Sequence, residues 1–132
     1  MTTETFNAEN ETQIKKVLID WEAATRTGND DAVLFNHATD LIIFDVLAPL
    51  QYKSAEAYRK SWDEWRPKDE VDALFKMHEL NITASDTVAF AHCLIECGQK
   101  PNVDWVRTTF CLSKTNGKWI ITHQHSSMPM SK

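Results

Sequence analysis

His123 and His125 stand two residues apart in the run Trp119-Ile120-Ile121-Thr122-His123-Gln124-His125-Ser126-Ser127. In an extended chain alternate side chains share a face, so both imidazoles join Trp119, Ile121 and Ser127 on one side of a strand. Such a pair can move protons near neutral pH, or supply two ligands to a metal whose third ligand is His92 or Asp45. Asp45 ends the run Asp40-Leu41-Ile42-Ile43-Phe44-Asp45, in line with Leu41 and Ile43. Burial there would raise its pKa toward that of a useful general base, whereas pairing with Arg107 would make it structural. Arg107 alternates with Trp105, Thr109 and Cys111, where a guanidinium either binds an anionic ligand group or neutralises a buried acid. His92 alternates with Val88, Phe90 and Leu94, a setting that suits a hydrogen-bonded core histidine as well as a functional one.

Alternation therefore gathers Asp45, His92, Arg107, His123 and His125 around one cavity as the candidate catalytic set. Asp45 or a histidine carries the proton, and Arg107 holds developing negative charge. Tyr58, Trp62, Trp65 and Trp105 form the aromatic wall, although for Tyr58, Trp62 and Trp65 the helical spacing equally describes core packing. With one HxH and no dense cluster of Cys, Asp or Glu beside it, no metal is expected, and the chemistry on offer needs no cofactor.

The elements that must position these groups are legible from periodicity. Residues 1–8 read as a loose polar lead-in, after which Asn10 can cap a helix with Gln13 three residues on. Ile14, Val17, Leu18 and Trp21 form the stripe of that helix, and Gly28 ends it. A shorter helix runs from Asp30 to about His37. A strand from Asp40 follows, apolar on both faces. Ser54 caps a third helix that Arg66-Pro67 ends. Strand signals then occupy 71–84, 87–99, 103–114 and 118–128, with Asn116-Gly117 giving the type I′ turn before the last. Short turns between consecutive strands make an antiparallel meander, and helices first with strands after is an α+β arrangement.

Composition excludes several classes of function. The net charge of −5, from 14 basic and 19 acidic residues without a basic run, gives no nucleic-acid footprint. The longest apolar runs are far too short to span a bilayer, so no membrane partner is expected. The polar start Met1-Thr2-Thr3-Glu4-Thr5 lacks the pattern of a signal peptide, which points to the cytoplasm. Cys93, Cys97 and Cys111 make an odd count without a CxxC and read as reduced thiols.

Asp40 through Asp45, Ala55 through Trp65, Val88-Ala89-Phe90-Ala91-His92, Trp105-Val106-Arg107-Thr108 and Gly117 through Pro129 resemble the SnoaL-like ketosteroid isomerase homologues of the nuclear transport factor 2-like superfamily. The resemblance implies one domain over residues 1–132, in which a cone-shaped, curved antiparallel sheet wraps around three N-terminal helices. It implies a small-molecule cavity used by cofactor-independent isomerases, cyclases or hydrolases. It also implies sheet-to-sheet homodimers. The ketosteroid isomerase apparatus would need a tyrosine donor on the late strands, whereas Tyr52 and Tyr58 both lie earlier. The ending His123-x-His125-x-Ser127 with Pro129 is also similar to the association domain of calcium/calmodulin-dependent protein kinase II, which implies a non-catalytic binding or oligomerisation module as the alternative. The ligand expected in the cavity is a small anionic or carbonyl-bearing compound.

Overall fold

A computed structural model describes residues 3–65, 74–99 and 101–130, with the side chains of 7–61, 74–98 and 101–130. The end of the third helix at Arg66-Pro67 and the first residues of the 71–84 strand lie outside the described residues, as do the side chains of Trp62 and Trp65.

The stripe Ile14, Leu18, Trp21 and Ala24 is buried, and Val17 packs beside it, as an amphipathic helix laid on a sheet requires. That helix, α1 (Thr3–Thr27), starts earlier than the polar lead-in suggests. Asn10 is not its cap but a buried member of the same stripe, one turn before Ile14. Its Nδ2 donates to Ser85 O at 3.1 Å, and its Oδ1 accepts from Lys114 Nζ at 3.1 Å and Trp119 Nε1 at 3.3 Å. One carboxamide thus ties the helix to three separate parts of the sheet. Asn10→Leu leaves those groups without their partner and is expected to destabilise the protein by about 2 kcal/mol, read from urea denaturation with an unchanged m-value. Loss under 0.5 kcal/mol would mean that water replaces the carboxamide at no cost.

Gly28, at φ +76, closes α1, and Asn29 caps α2 (Asp30–Leu34) by accepting from Ala32 N. This second helix is shorter than expected, because the chain turns at Phe35 and enters β1 (His37–Phe44) at His37. Ser54 caps α3 (Ala55–Trp65) through Ala57 N, as its position suggests. Four long strands follow: β2 (Leu74–Ala84), β3 (Val88–Gln99), β4 (Asn102–Thr115) and β5 (Lys118–Ser127). They pair as the expected antiparallel meander, and β1 adds itself to β5 in parallel, giving the order β1-β5-β4-β3-β2. Asn116 and Gly117 both take positive φ, as a type I′ turn demands.

The helices cover the inner face of this curved, open sheet. Ala89, Ala91, Cys93 and Ile95 from β3, Phe110 and Leu112 from β4, and Trp119 and Ile121 from β5 join the helical stripe in one core. Trp21 sits at its centre, edge-on to Phe110 at 5.0 Å and to Phe75 at 5.3 Å. The carboxylate of Glu22 on α1 accepts from Met77 N at 2.6 Å, just before an irregularity in β2 where the register slips between His78 and Asn81.

A second irregularity decides the site. In β5 the register slips against β4: Ile121 faces Leu112, His123 faces Cys111, and Thr122 is left over. That is a β-bulge, and one extra residue exchanges the two faces of everything after it. Trp119 and Ile121 point inward before the bulge. After it Gln124 and Ser126 do, and His123, His125 and Ser127 turn outward.

Candidate functional site

The inner face and the helices enclose a cavity of about 600 Å³, within the range of small-molecule sites. Its apolar wall comes from Trp21, Val33, Phe75, Ile95 and Val106. Its polar members are brought in by strand ends and by a short clasp. Tyr52 pairs with Ile43 as an isolated bridge, Ile43 N donating to Tyr52 O at 3.0 Å and Tyr52 N to Ile43 O at 2.9 Å. The intervening chain is thereby tied back to β1, and Asp45, Val46 and Leu47 line the cavity. Asp45 follows the last residue of β1 and is half-buried, with Oδ1 accepting from Val46 N at 2.8 Å. Tyr52 and the buried Tyr58 add two phenols to the lining, their rings 5.3 Å apart.

On the sheet wall, Thr108 and Ser126 face each other across β4 and β5, and their hydroxyls are hydrogen-bonded at 2.9 Å. Gln124 lies two residues before Ser126, almost fully buried. Behind it, His37 is buried and held neutral: burial lowers its pKa from 6.5 to about 4, against a smaller opposing effect from Gln124. Arg26 and Asp104 also reach the lining. The Arg26 guanidinium donates to Phe75 O at 3.3 Å and stands 4.0 Å from Glu22. Cys97 lines the cavity too, but burial and the Asp104 carboxylate raise its pKa, which disfavours the nucleophilic thiolate. Cys93 is pushed up to about 11 by burial and by Glu22.

Of the residues expected around the cavity, Asp45 from the strand alternation and Tyr58 from the helical stripe line it. His92, Arg107, Trp105, His123 and His125 share one face, but it is the outer one. His92, Arg107, Trp105 and His125 are exposed, and Arg107 Nε donates to Ser127 Oγ at 3.3 Å. His123 Nδ1 donates to Ile42 O at 2.6 Å, and Phe44 packs edge-on against both His123 and His125. Two causes separate them from Asp45. The Thr122 bulge reverses the face of the HxH pair, and β3 and β4 direct their even and odd positions opposite to the assumed sense. Among the described residues, no three His, Cys, Asp or Glu side chains come together closely enough to hold a metal ion.

The alternation assumed for β4 and β5 passes over Thr108, Gln124 and Ser126. Thr108 could have been found by taking the face opposite Arg107; the other two needed the bulge. Tyr52 lacks any periodic signal, because a clasp between a strand and a loop places it.

The SnoaL-like domain matches residues 14–131. Among curated proteins no sequence matches. A protein of unknown function with the nuclear transport factor 2-like fold, from Pseudomonas putida, is similar at 25% identity over 94% of this chain and 89% of its own, with a TM-score of 0.87. A candidate scytalone dehydratase from Novosphingobium aromaticivorans shares the fold at 12% identity, covering 96% and 89% of the two chains, with a TM-score of 0.79. A candidate calcium/calmodulin-dependent protein kinase II association domain from Xanthomonas campestris does so at 21% identity, covering 90% and 87%, with a TM-score of 0.72. Residues 14–131 being nearly the whole chain, the protein belongs to the SnoaL-like family, built on the nuclear transport factor 2-like, cystatin-like fold.

Proposed function

We propose that the protein binds a neutral, largely apolar, carbonyl-bearing small molecule in the cone cavity and acts on it by acid–base chemistry of the isomerase, cyclase or dehydratase kind. One observation carries this reading: the Asp45 carboxylate and two tyrosines line a largely apolar cavity of about 600 Å³. A carboxylate at such a place can take a proton from carbon next to a carbonyl, and a phenol can donate to the oxygen that gains charge. The dehydratase description of a structural neighbour suits the same apparatus. An anionic ligand suits it less, because Asp45 and Asp104 both line the cavity and Arg26 is engaged by Glu22 and a backbone carbonyl.

Thermal unfolding with simple probes tests the binding half. Acetophenone at ten times its Kd should stabilise the protein by about 1.4 kcal/mol, with benzoate giving less at the same concentration. Stabilisation by benzoate alone would reverse the assignment of charge, and no response to either probe would count against the cavity as a ligand site.

The outer face supports a second element of the proposal, a homodimer. On the outer face Val88 and Phe90 are 57% and 49% exposed at one end of β3, and Trp105, opposite Glu96 toward the other end, is 47% exposed, apolar positions spread along a face of the kind a partner sheet covers. Arg107 and Glu96, whose Oε1 lies 3.1 Å from His78 Nε2, share that face, and in a dimer whose two-fold axis passes between them each would meet its opposite in the second copy. Light scattering at micromolar concentration should give twice the 15.2 kDa of the chain, and Phe90→Glu should return it to one. A wild-type mass of 15.2 kDa would end this part of the proposal.

A further inference from the structure

The sheet wall of the cavity holds polar atoms that the protein does not satisfy. Gln124 is 2% exposed and lines the cavity, yet its Oε1 is buried with no hydrogen-bond partner. Both ring nitrogens of His37, 9% exposed, are in the same condition. The two side chains lie within polar reach of each other, short of the geometry of a formed hydrogen bond. Such groups carry a desolvation penalty that apolar residues of similar shape would avoid. Thr108 and Ser126, the neighbouring hydroxyls, are by contrast already paired.

Burial favours one direction. A neutral imidazole has one N–H, and Gln124 Oε1 is the buried, unpartnered acceptor beside it. A donation from His37 turns that oxygen toward the wall and leaves the carboxamide NH₂ for the cavity. In the hydroxyl pair one O–H is used within the pair and the other remains to be donated. The β4–β5 wall therefore presents donors, at neighbouring positions of one sheet face, to whatever enters.

We infer that Gln124 and the Thr108–Ser126 pair form a recognition site for the carbonyl oxygen of a neutral ligand, with His37 as the positioning residue that sets the orientation of Gln124. The inference rests on the cavity reading above and adds to it the groups that select a carbonyl. It also gives His37 a role without contact to the ligand.

Acetophenone and α-methylstyrene, which differ by C=O against C=CH₂ at nearly constant shape, separate the two readings. Their dissociation constants are measured by NMR titration on wild type, Gln124→Met and His37→Leu. Comparing ratios between proteins cancels the difference in hydrophobicity of the two probes. The ratio should move about tenfold toward the hydrocarbon in Gln124→Met, the value of one hydrogen bond. It should move as far in His37→Leu although Gln124 is intact, and return in at least one of His37→Asn and His37→Gln, which restore a donor. As a readout independent of the variants' folding, the Gln124 side-chain amide signals of wild type should shift with acetophenone and not with α-methylstyrene. Unchanged ratios, or amide signals indifferent to acetophenone, overturn the inference while the cavity reading stands. Failure of wild type to bind either probe removes both.

Discussion

Asp45→Asn is expected to slow proton exchange at the methyl group of bound acetophenone in D₂O by a hundredfold or more, while its Kd changes little. The substitution keeps the shape of the side chain and its ability to accept from Val46 N, the contact that holds Oδ1 in place. What it removes is the basic carboxylate. General base catalysis by a positioned group accounts for roughly 10²–10⁴ in rate, so the barrier should rise by about 3 kcal/mol or more. Deuterium incorporation followed by NMR gives the rate, and titration of the same sample gives the affinity, so binding and proton transfer are separated. Exchange that persists in Asp45→Asn would move the proton carrier to another cavity group, for which Tyr52 and Tyr58 are the next substitutions.

Acid should destabilise the fold through a different residue. His37 has an ordinary pKa of 6.5 in the unfolded chain and about 4 in the folded one, because burial disfavours the imidazolium. As pH falls below 6.5 the unfolded chain takes up a proton that the native protein refuses, so stability is lost between 6.5 and about 4 and levels off below. The difference corresponds to about 3 kcal/mol, a large part of the stability of an ordinary domain. Carboxylates titrate across the lower part of that range, so the test is the difference between wild type and His37→Leu. The variant should show a flatter pH dependence of the urea midpoint between pH 7 and pH 4. Parallel curves would mean that His37 is protonated at no cost in the folded state.

The parts of the fold that the sequence announces are those where one physical rule acts without competition. Helix α1 shows its 3.6-residue stripe from Ile14 to Ala24, and the Asn116-Gly117 turn shows residues that tolerate positive φ. Asn10 misleads because its favoured role in isolation is a helix cap, while here a tertiary network with Ser85, Lys114 and Trp119 claims its side chain. Asp45 is legible as a carboxylate at the end of an apolar strand. The HxH pair fails for a purely geometric reason: counting by twos is valid only while the strand is regular. Ile121-Thr122-His123 contains no glycine or proline to announce the bulge, and the Thr122 Oγ1 bond to Cys111 O exists only once the strands have paired. Burial of Gln124 likewise depends on which face that bulge turns inward, whereas His37 pairs with Ile121 ahead of it.

The same bulge bears on how this lineage can change its chemistry. Deletion of Thr122 would only remove the extra residue and leave the later faces as they are, but insertion of a single codon after it, with the bulge kept, would bring His123, His125 and Ser127 to the cavity and send Gln124 and Ser126 to the surface. A carboxamide-and-hydroxyl lining would become an imidazole lining in one genetic step, with Trp119 and Ile121 still anchoring the strand. Two alternative active-site inventories are in this sense encoded in one stretch of β5, and a frame-preserving indel, rather than a series of point substitutions, is the shortest evolutionary path between them.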